Sequence, residues 1–194
     1  MKNRLFFQFA GLVLLSVMAA AQTPAVDPAL LAKANNGDTA AQVAVGEKLA
    51  QAAGALQDRD QAAEEWKQAF AWYNKAAEKN DIAGEIHVAE AYSYGRGVAR
   101  DMTKAAEWYR KAADQGDPGA QGTLAMLYTL GQGVPQSDAD AYFWFDLAAS
   151  ADTPNKDRYI QNRQNVGTRI TVGELAAAEE RLKKWKAAHP GTSQ

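Results

Sequence analysis

A repeat of 36 residues constrains the fold of this chain more than any other feature of its sequence. Trp72, Trp108 and Trp144 follow one another at this spacing. The same step relates further positions: Tyr92 to Tyr128, Gly95 to Gly131, Gly97 to Gly133 and Val98 to Val134. A fixed period of this size is typical of helical hairpins that stack because none of them can bury its apolar face alone.

Each repeat can be read as two helices joined by a glycine turn. Ala105, Trp108, Tyr109, Ala112 and Ala113 fall at i, i+3, i+4, i+7 and i+8, which is one face of a helix. Glycine ends the first helix because the chain must adopt positive φ to turn back. The sequence therefore predicts an all-α fold, an α-solenoid of stacked antiparallel hairpins. The residues expected to hold it together are Trp72, Tyr73, Tyr92, Gly95, Gly97, Trp108, Tyr109, Tyr128, Gly131, Gly133, Trp144 and Phe145.

These motifs resemble the Sel1-like repeat, a relative of the tetratricopeptide repeat with a slightly longer unit. The turn Tyr92-Ser-Tyr-Gly95-Arg-Gly97-Val98 and the run Lys104-Ala105-Ala-Glu-Trp108-Tyr109-Arg-Lys-Ala112-Ala113 carry the resemblance. The next repeat departs at Asp140 and Phe145, and Ala89 and Ala125 stand where glycine is usual. The resemblance covers residues 37–152 clearly. It implies adaptor work in envelope assembly, signalling or host contact.

Residues 1–21 are expected to be a secretory signal peptide. They open with Lys2 and Arg4, continue with a short apolar run and end with Ala19 and Ala21. The alternative is a retained membrane anchor, for which the apolar run is short. We therefore expect cleavage after Ala21, a periplasmic or secreted location, and no stable membrane insertion of the mature chain.

One domain is expected over residues 22–188, followed by a mobile tail, 189–194. It should open with a short helix, 28–35, in which Asp27 is the N-cap and Pro28 lies in the first turn. Hairpins are expected over about 38–79, 83–115 and 119–151, and a degenerate capping hairpin over 154–188. Its last helix should begin with a capping box formed by Thr171 and Glu174.

The first hairpin should be taller than the others. Ala41 and Trp72 are 31 residues apart, whereas Ala120 and Trp144 are 24 apart. The excess corresponds to about two helical turns. Trp66 lies close to this insert and off the main apolar stripe.

The charge and composition exclude several classes of protein. The net charge of −2 becomes −4 when Lys2 and Arg4 leave with the signal peptide, which argues against nucleic acid or a strongly anionic membrane as the partner. The chain has no cysteine, so disulfides, thiolate catalysis and cysteine metal sites are excluded. We expect a monomer.

No motif in the sequence indicates an enzyme, a cofactor or a metal site. His87 is expected to face solvent, and the pairs Glu64/Glu65 and Glu179/Glu180 to form solvated faces rather than acid–base pairs. The two Gly-x-Gly turns lack the third glycine and the preceding strand of a nucleotide site. The repeated tryptophans are expected to be core residues and not a ligand cage.

The candidate contact residues lie outside the repeat pattern. They are Tyr94, Met126, Leu130, Tyr142 and Phe143. The alternative for Tyr94 and Met126 is filling between helices, and for Tyr142 and Phe143 it is packing against the end cap. Three functions follow: an exported module that binds a protein or peptide on its solenoid surface, a periplasmic inhibitor or immunity-type protein that neutralises a toxin or enzyme, and, least favoured, a cell-wall hydrolase.

Overall fold

The computed structural model describes residues 26–190, and all the regular structure within them is helical. The predicted signal peptide and the final residues, 191–194, lie outside the described residues. The nine helices of the described part are α1 Pro28–Asn35, α2 Thr39–Ala55, α3 Arg59–Ala77, α4 Ile82–Tyr94, α5 Met102–Asp114, α6 Pro118–Leu130, α7 Asp138–Ser150, α8 Lys156–Gly167 and α9 Val172–Ala188. The predicted all-α solenoid is therefore confirmed.

Three helix pairs form the repeating part of the solenoid. Hairpin 1 is α2 and α3, hairpin 2 is α4 and α5, and hairpin 3 is α6 and α7. Each helix from α1 to α7 packs against the next helix along the chain. Since the second helix of each hairpin also contacts the first helix of the following one, the apolar faces are buried by stacking.

The ends of the first helices are set by local chemistry. Asp38, Asp81 and Asp117 cap α2, α4 and α6, each accepting a hydrogen bond from the backbone N–H three residues later. Two of these helices end at Gly95 and Gly131, where φ is 69° and 65°. These left-handed residues turn the chain towards the second helix, as the sequence predicted.

The second glycine of each turn fits against the preceding hairpin. A Cβ atom on Gly97 would lie 2.2 Å from the carbonyl oxygen of Trp66 in α3. A Cβ atom on Gly133 would lie 1.9 Å from the carbonyl oxygen of Met102, at the start of α5. Each Gly-x-Gly turn therefore contacts the backbone of the hairpin before it, and only glycine leaves room for this contact.

The repeated tryptophans differ in burial. Trp144 is fully buried, so the expectation of a core residue is correct there. Trp72 and Trp108 are partly exposed, and the ammonium groups of Lys75 and Lys111 lie 3.7 and 3.5 Å from their ring centroids. These two rings still pack against the core, and each lysine, one helical turn further on, lies over its ring.

Hairpin 1 is the tallest of the three, as predicted. Helices α2 and α3 have 17 and 19 residues, whereas the four helices of hairpins 2 and 3 have 13 residues each. The extra length of α3 lies at its beginning, because Trp66 stands 36 residues before Met102, the first residue of α5. The first two turns of α3 therefore extend beyond the standard hairpin.

The last two helices differ from the stacked hairpin that the sequence suggested. Both α8 and α9 pack against α7. Charge pairs hold them there: Asp146 with Arg163 and Lys186, Asp140 with Arg181, and Asp138 with Arg169. The predicted capping box at Thr171 and Glu174 is present. Of the helices in the described range, none is both long and apolar enough to cross a membrane.

Candidate functional site

The structure separates the five candidate contact residues. Tyr94, Leu130 and Met126 lie on first helices and are 67%, 55% and 40% exposed. Tyr142 is partly buried, with its ring near Gly167. Phe143 is only 3% exposed. The first three residues are thus available to a partner, and the other two belong to a different part of the molecule.

Phe143 is a core residue, so its prediction as a contact residue was wrong. Its ring meets Trp144 edge-on at 4.9 Å. The guanidinium of Arg181, from α9, lies 4.3 Å from the ring centroid on another side. The aromatic run in α7 is therefore explained at this position by packing of the last helix.

A cleft of about 250 Å³ opens between hairpins 1 and 2. We call it the inter-hairpin cleft. Its lining residues come from three helices and one turn: Glu47, Ala50, Trp66, Phe70, Tyr73, His87, Glu90, Ala91 and Arg96. Rings form much of its surface, and charged groups stand among them.

The polar part of the cleft centres on His87. Its ring stacks on Tyr73 with 4.3 Å between centroids. Its Nδ1 atom is 3.1 Å from a carboxylate oxygen of Glu90, and its Nε2 atom is 3.6 Å from one of Glu47. The sequence suggested that His87 faces solvent. In the structure its ring instead lies against Tyr73 and between two carboxylates. The hydrogen bond to Glu90 raises the pKa of His87 in spite of its burial, and Glu47 adds to the effect.

At the rim of the cleft, the guanidinium of Arg96 lies against two aromatic rings. The guanidinium of Arg96 lies 4.8 Å from the ring centroid of Trp66 and 5.0 Å from that of Tyr94. Trp66 lies at the point where the Gly-x-Gly turn after α4 contacts α3. Its position off the apolar stripe was the one sequence signal for this contact, and nothing in the repeat pattern paired it with Arg96.

Two further carboxylates, those of Glu85 and Glu65, are buried. Glu85 is 1% exposed, accepts a hydrogen bond from Gln115 at 2.7 Å, and has its pKa raised by burial. Glutamine takes this place in the neighbouring hairpins, where Gln42 and Gln121 donate to backbone carbonyls. Glu65 is also buried, so the expectation of a solvated Glu64/Glu65 face was wrong for one of the two residues.

A second opening lies at hairpin 3. It has a volume of about 240 Å³ and is bordered by Thr123, Met126, Phe145, Arg158, Tyr159 and Asn162. The amide nitrogen of Asn162 is 3.8 Å from the sulfur of Met126. Nowhere in residues 26–190 do three or more histidine, aspartate or glutamate side chains form a group suited to a metal ion.

Stacked hairpins with Gly-x-Gly turns and partly exposed rings on the first helices define a helical-repeat scaffold. The family model for the Sel1 repeat matches residues 67–81, 83–117 and 119–152. These three stretches therefore match the Sel1 repeat, in agreement with the resemblance read from the sequence. No curated protein matches the chain.

Two crystal structures show the same type of fold. A protective antigen present in uropathogenic Escherichia coli strains, which displays an SLR fold, is 26% identical with a TM-score of 0.58. The match covers 81% of this chain but only 40% of that antigen. A Sel1 repeat protein from Oxalobacter formigenes is 29% identical with a TM-score of 0.57, over 69% of this chain and 96% of that protein.

Proposed function

We propose that this protein is an exported interaction module that holds a protein or peptide partner on the face formed by its first helices. Sel1 repeats generally serve as protein–protein interaction modules. The observation that carries the proposal is the inter-hairpin cleft, with exposed Tyr94 at its edge and Leu130 one repeat further on. The signal peptide predicted from the sequence supports export.

The chemistry of the cleft favours contact over catalysis. Burial raises the pKa of the Tyr73 hydroxyl, which therefore stays protonated and is a poor nucleophile. The imidazole of His87 is engaged by two carboxylates and a stacked ring. Rings and charges arranged in this way recognise side chains, as in the aromatic centres of protein interfaces.

A pull-down from envelope extract tests the proposal. The bait is the mature chain, residues 22–194, beside a Tyr94→Ala/Leu130→Ala variant. The matched control is Val172→Ala, which removes an apolar side chain that is 86% exposed at the other end of the molecule. We expect a partner that the parent and the control retain and the double variant loses.

Three results would decide against this function or refine it. If the double variant keeps every partner of the parent, the first-helix face is not the contact surface. If no partner is captured, the protein is not an interaction module in that compartment. If the partner is an enzyme or toxin whose activity stops in the complex, the inhibitor alternative is the correct form of the proposal.

A further inference from the structure

The inter-hairpin cleft combines aromatic walls with a surplus of carboxylate, and we propose that it receives a lysine or arginine side chain of the partner. This inference rests on the proposed function and specifies the chemistry of its contact. The site would act as an anchor, with the apolar stem of the basic side chain against the rings and its charged end beside the carboxylates.

The walls suit a long side chain with a cationic end. Trp66, Phe70 and Tyr73 present ring surface from a single helix, α3. Lysine and arginine bury their methylene stems against such surface, and their charge is attracted by the ring faces. The cleft already shows that a guanidinium fits this environment, because Arg96 rests over the rings of Trp66 and Tyr94 at its rim.

The charges around the cleft favour a cation. Glu47 comes from α2 and Glu90 from α4, and both carboxylates remain partly exposed, so they can still contact a ligand. Among the lining residues, the opposing charges are Arg96 on the turn and His87 on α4, while α3 contributes the neutral hydroxyl of Tyr73. With a neutral imidazole, the two carboxylates outnumber the one arginine.

Protonation of His87 removes this surplus. The imidazolium and Arg96 together then balance Glu47 and Glu90, so a basic side chain gains less from entering the cleft. Binding should therefore weaken as the pH falls through the pKa of His87. The neighbouring carboxylates place that pKa above its ordinary value, which brings the transition closer to neutral pH.

The combination of groups is not repeated at the next interface. Thr123 and Met126 stand 36 residues after His87 and Glu90. Met102 and Ala106 stand at the same step after Trp66 and Phe70. Hairpins 2 and 3 thus present neither the second carboxylate nor the two rings, and the proposed anchor belongs to the first interface alone.

An NMR titration of the mature chain tests the proposal directly. The probes are an acetyl-Ala-Arg-Ala-amide peptide and its citrulline counterpart, which has nearly the same shape without the charge. The reporter is the indole N–H signal of Trp66, assigned by comparison with Trp66→Phe. We expect saturable shifts with the arginine peptide and about fivefold or more weaker binding of the citrulline peptide.

Matched variants establish which charges matter. Glu47→Gln/Glu90→Gln should weaken the arginine peptide about fivefold or more. Glu179→Gln/Glu180→Gln makes the same change in charge on the exposed face of α9 and should leave its affinity unchanged. Between about pH 8 and about pH 6 the affinity of the parent should fall.

Several outcomes would overturn the inference. They are equal affinity for the two peptides, unchanged affinity in Glu47→Gln/Glu90→Gln, no saturable shift of the Trp66 signal, or tighter binding on acidification. The pull-down separates this failure from that of the proposed function. A partner still captured by Glu47→Gln/Glu90→Gln refutes the basic anchor while the interaction module stands.

Discussion

The interface between hairpins 1 and 2 and that between hairpins 2 and 3 share a backbone but differ in their exposed side chains. In the first interface, α4 contributes His87 and Glu90 to a cleft walled by rings. In the second, α6 has Thr123 and Met126 at the matching positions. The Gly-x-Gly turns within hairpins 2 and 3 contact the backbone of the preceding hairpin at matching positions. The repeat thus sets the scaffold, and the departures from it set the chemistry of the surface.

The largest expected effect on stability is at Phe143, a residue that departs from the repeat pattern and is buried in the core. Phe143 occupies the position of Glu107 one repeat earlier, and the phenylalanine is buried whereas the glutamate is exposed. Phe143→Ala should lower the free energy of unfolding by about 3–5 kcal/mol because it leaves a cavity under α9. Urea unfolding measures the change, and Glu107→Ala, expected within about 0.5 kcal/mol of the parent, is the control. A stable Phe143→Ala variant that loses its partner would instead restore this residue to the contact surface.

The next effect tests whether the two interfaces really share a scaffold. Gly97→Ala and Gly133→Ala should each destabilise the protein by about 2–4 kcal/mol, because both residues have positive φ and no space for a Cβ atom. Gly54→Ala, which meets open space within α2, should be neutral or slightly stabilising. Thermal unfolding followed by circular dichroism provides the comparison. A mild effect at only one of the two turns would show that the contacts are not equivalent.

A smaller effect should appear at a buried position that differs between hairpins 2 and 3. Glu85→Gln should stabilise the protein by about 1 kcal/mol at neutral pH, since it removes a buried acid, and Gln121→Glu should do the reverse. Burial raises the pKa of Glu85 in the folded state. Its favourable contribution is therefore complete below its unfolded pKa and is lost as the pH rises through its folded pKa. The gain from Glu85→Gln should accordingly shrink on acidification, and a gain that is constant with pH in urea titrations would contradict this account.

The smallest effects on stability are expected at the exposed apolar side chains of the first helices. Tyr94→Ala and Leu130→Ala, at matching positions of α4 and α6, should each change the free energy of unfolding by less than about 0.5 kcal/mol. Their separate effects on capture of the partner sharpen the comparison. A larger loss with Tyr94→Ala places the contact at the first interface, and a larger loss with Leu130→Ala places it at the second. Equal retention by both variants would place it at neither.

The parts of the fold that depend on local chemistry were predictable from the sequence. Gly95 and Gly131 end their helices because glycine adopts positive φ freely, and Thr171 with Glu174 begins α9 by a capping box. The taller first hairpin followed from counting residues. Each of these features is encoded within a few neighbouring residues. The glycine that ends a first helix occurs in two repeats.

The features that were missed depend on contacts between distant segments. Phe143 is buried because α9 returns to pack on α7; this is the end-cap alternative weighed for it, and the repeat pattern alone could not decide between the two. Trp66 and Arg96 meet because the turn after α4 contacts α3 at Trp66. His87 is engaged because Glu47 reaches it from the preceding hairpin. Repetition within one hairpin carries no information about such partners.

The contact between Gly97 and the backbone of Trp66 has a consequence for how such a chain can change length. The turn anchors at a fixed point on the preceding second helix, and the same point in α5 is its first residue, Met102. Residues added to α3 before this point lengthen the hairpin while the spacing of all later repeats stays constant. An insertion at this place therefore adds new surface to one hairpin. The stacking of the later hairpins keeps its register.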